Sequence, residues 1–254
     1  MNKLVLVIKV KKKIFITFSI LILITSLIVL ARENIKLRSM IKDSNEDKIV
    51  AIANNKTIIE RKIIKHSNNP RYKLNIYYPY TSYKLLNSSI KEKIKTEIDL
   101  LLDTIKEYGV RPNQYYSLFI NYDKYNYKNY VSYVFYISSY TGGAHPNNTI
   151  WTISYDEDKN KIISIDNLVK KDPNILNTLS TFSKDALKKD KRFKDTNNDI
   201  KSMIDDGTKP ISDNFKNFAF SEDGLIIFFE HYQVAPYSFG NFEVIIPYSK
   251  LSMI

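Results

Sequence analysis

Residues 115–140, YYSLFINYDKYNYKNYVSYVFYISSY, set the architecture. Tyr, Phe, Val and Ile dominate the segment, the residue types that fit a pleated, half-buried surface. Its middle, 124–129, is polar. In the second half Tyr133, Phe135 and Ile137 alternate with Ser132, Val134 and Tyr136, the period-two pattern of a strand. The segment therefore reads as two long strands folded about a polar turn.

The neighbouring segments fit that frame. Upstream, TIIERKII (57–64) and YKLNIYYPY (72–80) read as strands separated by the turn-prone SNNPR. Between them and 115 lies a helical pattern: Ile90, Ile94, Ile98, Leu101, Leu102 and Ile105 share one face. Its predicted start is a capping box from Ser89 to Glu92, and its predicted stop is Gly109 followed by Pro112. Downstream, IWTISY and KIISI form a hairpin across DEDKN. A second helix, capped by Asp172 with Pro173 in its first turn, presents Ile175, Leu179, Phe182 and Ala186. A short helix over 199–206 stops at Gly207. NFAF, LIIFFE and FEVIIPY close the chain as a meander. Strands grouped around two main helices and joined mostly by hairpins give an α+β fold with largely antiparallel sheet, following an N-terminal transmembrane segment.

That segment is residues 14–31, an uncharged run of 18 residues, long enough to cross a bilayer core. Lys9, Lys11, Lys12 and Lys13 precede it, while Arg32 and Glu33 cancel after it, so residues 1–13 are expected in the cytoplasm and the bulk outside. A cleaved signal ending at Ala31 is the alternative, giving a secreted protein. Residues 32–55 read as a polar tether, 56–155 as a first α+β domain and 156–254 as a second. The first 31 residues hold five lysines and no acid, which leaves +6 of the net +11 to the remainder. No basic block stands outside the membrane flank, so nucleic acid is not an expected partner. With no cysteine, disulfides, thiol catalysis and cysteine metal sites are excluded.

Two stretches draw attention as sites. The chain has six Gly and three His, yet Gly142, Gly143 and His145 fall within four positions in SSYTGGAHPNNT (138–149). Glycine permits backbone angles closed to other residues, so this is either a tight connection or a loop whose amides and imidazole meet a ligand. The other is the ten-residue connection 231–240, HYQVAPYSFG, longer than a minimal hairpin needs. Its aromatic and hydrogen-bonding groups suit recognition, or plug the end of a core. The candidate ligand-binding set is Tyr140, Thr141, Gly142, Gly143, His145 and Asn147 from the first loop. From the second come Glu230, His231, Tyr232, Gln233, Tyr237 and Phe239. No catalytic signature is present: no nucleophile elbow, no HExxH, no phosphate-binding glycine loop. Glu230 and His231 are adjacent on a strand end and point to opposite faces, which disfavours a dyad. A hydrolase using Glu230 with His145 is the enzymatic alternative. No metal site is expected, since His66, His145 and His231 share no ligand-like spacing, and no cofactor is expected. Acidic pairs at Asp156/Asp158 and Asp205/Asp206 read as solvated turns.

YTGGAHPN (140–147), ISIDNLVK (163–170) and FFEHYQVAPYSFGNFEVIIPYSKL (228–251) together resemble a tandem of exported bacterial domains known as domains of unknown function 4163 and 3298. The resemblance runs from Thr57 to Leu251. The tandem is similar to the extracellular part of anti-sigma-V factors, which bind lysozyme, and to the non-catalytic N-terminal region of some peptidoglycan deacetylases. It implies an α+β fold and a binding or sensing role in the cell envelope. Only thirteen residues precede the apolar run, too few for a sigma-binding domain, and no deacetylase domain follows, so a binding module alone is expected. The implied partner is a wall component, another envelope protein or a lysozyme-like protein. Lysozyme is strongly basic, so it would need an acidic face built from Asp156, Glu157, Asp158, Asp205, Asp206, Glu222 and Asp223.

Overall fold

The computed structural model describes residues 48–53, 56–68, 71–108, 115–193 and 198–251. The apolar run at 14–31, the stretch 32–47 and the helix stop expected at 109–112 lie outside them. No helix among the described residues is long and apolar enough to cross a membrane.

A seven-stranded sheet takes the strands in chain order: β1 (Lys48–Ala53), β2 (Lys56–Asn68), β3 (Arg71–Tyr80), β4 (Tyr116–Tyr127), β5 (Tyr130–Tyr140), β6 (Asn147–Asp156) and β7 (Lys161–Ile163). All neighbours pair antiparallel except β3 and β4, which run parallel because helix α1 (Lys84–Tyr108) carries the chain back between them. The expected hairpin at 115–140 is present, with Ile120 opposite Ile137 and Tyr127 opposite Tyr130 across a two-residue turn. Residues 48–53 of the expected tether, KIVAIA, instead form β1, as their β-branched run allows.

Helix α1 lays Leu86, Ile90, Ile94, Ile98, Leu101 and Ile105 on one face of the sheet, against Leu74, Ile76, Leu118, Ile120, Tyr133 and Phe135. It begins five residues before Ser89, so the expected capping box does not form. Thr81 N–H donates to Asn87 Oδ1 (2.8 Å) and Asn87 Nδ2 donates to Thr81 O (2.7 Å), which pins the start upstream.

The other face of β4–β6 carries a three-stranded antiparallel sheet, ordered β10 (Phe242–Ile246), β9 (Gly224–Phe229), β8 (Phe218–Ser221). Val134 and Ile150 from the large sheet meet Ala219, Ile226 and Phe228 there. The alternation in β5 thus separates two buried layers and not a core face from a wet one. β8 is an edge strand, and an edge leaves backbone donors without partners. Here the large sheet's hydroxyls accept them: Phe220 N–H donates to Ser132 Oγ (3.0 Å) and Phe218 N–H to Thr152 Oγ1 (3.0 Å).

Helices α2 (Ile165–Lys171), α3 (Ile175–Lys188) and α4 (Asn198–Gly207) cover the far side of the small sheet. Leu179, Leu187 and Ile204 pack on Phe220, Ile227, Phe229 and Ile246. Ile165, read as strand, opens α2, with Ser164 N–H donating to Asn167 Oδ1 (3.0 Å). The cap of α3 is Asn174 and not Asp172. The Asp172 carboxylate instead accepts from Asn174 N–H (2.9 Å) and closes a turn just ahead. The observed class is mixed α+β with four α-helices among the described residues.

Asp156 corrects another expectation. It is fully buried at the end of β6, not solvated in a turn. Its Oδ1 accepts from Asn129 Nδ2 (2.6 Å) and Lys159 N–H (3.0 Å), tying the β4–β5 turn to the β6–β7 turn. Burial pushes its carboxyl up, but these two donors and the Lys159 charge outweigh it and hold the group below the usual aspartate value. The other acids of the expected acidic face are also partly engaged. Glu157 accepts from Tyr83 Oη, Asp205 pairs with Lys184 and Lys188, and Asp206 pairs with Lys209.

Candidate functional site

The two singled-out loops meet. The first leaves β5 at Tyr140, passes Gly142 in the left-handed region (φ 94°) and enters β6 at Asn147. The second joins β9 to β10. The rings of His145 and His231 stack on Tyr237 with centroids 4.1 and 4.3 Å away, both within 24° of parallel. Two rings that close cannot share one face, so the phenol lies between the two imidazoles. Asn148 Nδ2 donates to Tyr237 Oη (2.7 Å). Tyr237 Oη and His145 Nδ1–H both donate to Pro146 O, at 3.1 and 2.9 Å.

The remaining candidates divide by role. Thr141, Gly142, Gly143 and Asn147 are exposed on the first loop, and Tyr140 packs its ring on Tyr115 at 5.3 Å, away from the stack. Tyr232 is 60% exposed with φ 65° and its ring is 5.7 Å from Tyr237. Gln233 is structural: its Nε2 donates to Gly207 O (3.1 Å) and Asn214 O (3.0 Å), which ties the loop to the end of α4. Phe239 packs on Phe193 and plugs the second core.

Glu230 and His231 go to different places. Glu230 accepts from Ile150 N–H (3.1 Å) and lines a cavity of about 560 Å³ with Lys93, Trp151 and Lys216. His231 lines a separate, shallow cavity of about 350 Å³ on the other side, and His145 lines neither. Among the described residues no three His, Cys, Asp or Glu side chains gather as a metal would require.

The 350 Å³ cavity lies where the small sheet stops short and the large sheet's face is open. Its walls include Asn75 and Tyr77 of β3, Phe119 and Asn121 of β4, and Asn148, His231 and Asn241 from the loop side. Asn75 Oδ1, His231 Nδ1 and Asn241 Oδ1 are shielded from solvent and have no hydrogen-bond partner among the described residues. Each such group costs on the order of 1–3 kcal/mol until something donates to it or accepts from it. Burial, then the nearby Asp123 carboxylate, pushes the Tyr136 phenol at the cavity floor far above its ordinary value, so it stays neutral. Asn75, Tyr77, Phe119 and Asn121 escaped the sequence reading. The available signal was that LNIYY (74–78) and LFIN (118–121) place aromatics and amides at the positions opposite the core-facing ones.

The fold is thus a mixed α+β scaffold in which two loops meet beside a concave, amide- and aromatic-lined face. Comparison with known proteins gives the relatives of that scaffold. Residues 65–148 match the family described as Deacetylase PdaC, and residues 166–249 match Protein of unknown function (DUF3298), so a PdaC-like and a DUF3298 domain are present. The chain is 28% identical over 184 residues to peptidoglycan-N-acetylmuramic acid deacetylase PdaC of Bacillus subtilis (strain 168). That alignment takes in 70% of this chain but 38% of the relative, so the chain spans well under half of the relative's length. A DUF3298 family protein from Pseudomonas aeruginosa PAO1 shares the fold, with TM-score 0.56 and 16% identity over 82% of this chain and 92% of that one. A member of the same family from Bacteroides fragilis NCTC 9343 gives a TM-score of 0.47 at 17% identity, over 83% and 93% of the two chains.

Proposed function

We propose that the chain is a cell-wall-binding module of the bacterial envelope that binds peptidoglycan without itself cleaving it. The observation that carries this is the open cavity beside the locked loops, whose wall offers unpartnered amide and imidazole atoms and two aromatic rings. Similarity to a peptidoglycan deacetylase supplies the wall as the setting. In this proposal the module stands outside the cell, on the anchor expected at 14–31. The resemblance to anti-sigma-V ectodomains belongs to the same reading, since there too binding is the implied task.

A second reading is a deacetylase-like enzyme, favoured by the same relative and by the family matched at 65–148. The two candidates for acid–base work do not combine easily. Glu230 is held by Ile150 N–H, and His145 donates to Pro146 O and stacks on Tyr237. The test is one incubation of the full chain with purified, insoluble peptidoglycan. Binding predicts that the protein pellets with the wall and that no acetate or soluble fragment appears. Acetate or fragment release that persists across independent preparations and vanishes in His145→Ala would replace the binder with the enzyme.

A further inference from the structure

Resting on the wall-binding reading, we infer that the open sheet face at β3–β4, bounded by His231 and Asn241, is a subsite for a strand of N-acetylated sugars. The register places this face. Asn75 and Tyr77 alternate with the buried Leu74, Ile76 and Tyr78, and Phe119 and Asn121 alternate with Leu118 and Ile120. They therefore point away from α1. β8 packs over β4, β5 and β6 with no comparable packing over β3, which leaves the cavity open along the sheet.

A sheet face left to water ordinarily carries charged and small polar side chains. Here Phe119 is 37% exposed, with Tyr77 beside it. An aromatic ring presents a negative face, and the C–H groups of a pyranose present the complementary positive edge. Two such rings at diagonal positions of neighbouring strands, with Asn75 opposite Phe119, suit successive units of a sugar chain better than a compact ligand.

The polar atoms point to the same chemistry. Asn75 and Asn241 each bring a carboxamide, with an acceptor oxygen lacking a partner, and His231 brings an unpartnered Nδ1. The last torsion of an asparagine is soft, so its amide turns to the cavity without strain. Carboxamides both donate and accept, as does the acetamide of an N-acetyl sugar, so one group answers the other. The lining contains no carboxylate. Lys62 and Lys73 stand on β2 and β3 with their ammonium groups 5.5 Å from the ring centroids of Tyr77 and Phe119. Their charge suits a glycan whose stem peptides bear carboxylates, as those of peptidoglycan do. The cavity's size, about 350 Å³, lies at the small end of ligand sites, fitting a short stretch of a chain that continues past both ends.

The test uses the full chain in mild detergent with two probes: insoluble peptidoglycan, and the soluble β-1,4-linked tetramer of N-acetylglucosamine. Phe119→Ala and Asn75→Asp are compared with Leu85→Ala, an exposed residue of α1, and circular dichroism checks that each variant is folded. The expected result is that both probes bind and that Phe119→Ala weakens the tetramer about tenfold, the equivalent of about 1.4 kcal/mol. Asn75→Asp should weaken peptidoglycan more than the uncharged tetramer, and Leu85→Ala should leave both unchanged. If peptidoglycan still binds as tightly to folded Phe119→Ala and Asn75→Asp, the subsite is wrong while the wall-binding reading stands. If a free stem peptide competes and the tetramer does not bind, the occupant is peptide and the glycan assignment fails. If the unmodified chain does not pellet with peptidoglycan, the function itself is refuted.

Discussion

Gly207→Ala separates local propensity from tertiary packing by the sign of its effect. Gly207 ends α4 at ordinary helical angles, and on propensity alone alanine would gain up to about 1 kcal/mol there. The fold opposes this. A methyl group at Gly207 would lie 2.1 Å from Gln233 O and 2.8 Å from Val234 Cγ1, where ordinary contact begins at 3.4 Å. The loop backbone must retreat by about 1.3 Å, since Gln233 O belongs to the main chain and has no flexible end to give. Such a shift takes Gln233 Nε2 out of reach of Gly207 O and Asn214 O, now at 3.1 and 3.0 Å, and strains the bond from Glu230 N–H to Gln233 Oε1 at 3.2 Å. Each lost bond is worth roughly 0.5–1.5 kcal/mol, and overpacking adds about 1–3 kcal/mol. After subtracting the helix gain, the net destabilisation is about 1–5 kcal/mol. Urea unfolding followed by circular dichroism measures it: at a slope of about 1–3 kcal/mol per molar, a mid-range loss of about 3 kcal/mol lowers the midpoint by about 1–3 M. Gly143→Ala is the control, since its nearest neighbour is 3.8 Å away and its effect should stay within about 0.5 kcal/mol. An unchanged or raised midpoint in Gly207→Ala would refute the claim that α4 and the 231–240 loop are fitted to one another.

Asp156→Ala removes a carboxylate whose side chain is 1% exposed and which accepts two hydrogen bonds that hold two turns together, so at roughly 1.5–3 kcal/mol per bond to a charged group it should cost about 3–6 kcal/mol in urea unfolding. Because the folded pKa of Asp156 lies below its ordinary 3.8, its contribution is complete above that pH and is lost as the pH falls through the lower folded value. The unmodified chain should therefore lose stability below about pH 4 more steeply than Asp156→Ala, and equal acid limbs would show that the carboxylate is not paired. At the alkaline end, burial raises Tyr133, Tyr136 and Tyr248 far above the ordinary value of 10.0. Their stabilisation is complete below pH 10 and disappears as pH rises, by about 1.4 kcal/mol per pH unit for each phenol that ionises only on unfolding. Phenolate absorbance from this set should appear together with the loss of circular dichroism; ionisation completed while the fold persists would contradict their burial.

Strand identity was legible because it follows from local alternation, and the hairpin at 115–140 has the pairing its pattern implies. What alternation could not convey is that β5 is buried on both faces. Ser132 and Thr152 look like solvent-side residues in the sequence, yet they accept the edge donors of β8 from 88 and 66 residues away. Helix boundaries failed for a more local reason. Ser89–Glu92 and Asp172 are sound capping signals, but neighbouring hydrogen bonds, of Asn87 with Thr81 and of Asn174 N–H with the Asp172 carboxylate, set the starts elsewhere. Asp156 misled for a long-range reason, since its burial comes with a bond to Asn129 in a different hairpin.

The loops stood out by composition, since scarce Gly and His crowded into 142–145 and aromatics crowded into 231–240. Composition marks the rim of a site better than its floor. Rim residues sit in irregular segments where any side chain is conspicuous. A floor on a sheet is built from every second residue of strands far apart in sequence, and each of those residues looks ordinary alone. Asn75 and Phe119 are 44 positions apart in the chain, yet the parallel pairing of β3 and β4 sets them directly opposite. That pairing depends on a crossover through a 25-residue helix, which carries the chain back to the sheet edge where β3 starts before β4 begins. A reading that assumes hairpins throughout pairs β3 and β4 in the wrong sense and never sets Asn75 opposite Phe119. The one parallel pair among the described strands is thus what brings an amide and a ring side by side on the open face, and it is the step that turns the fold into a site.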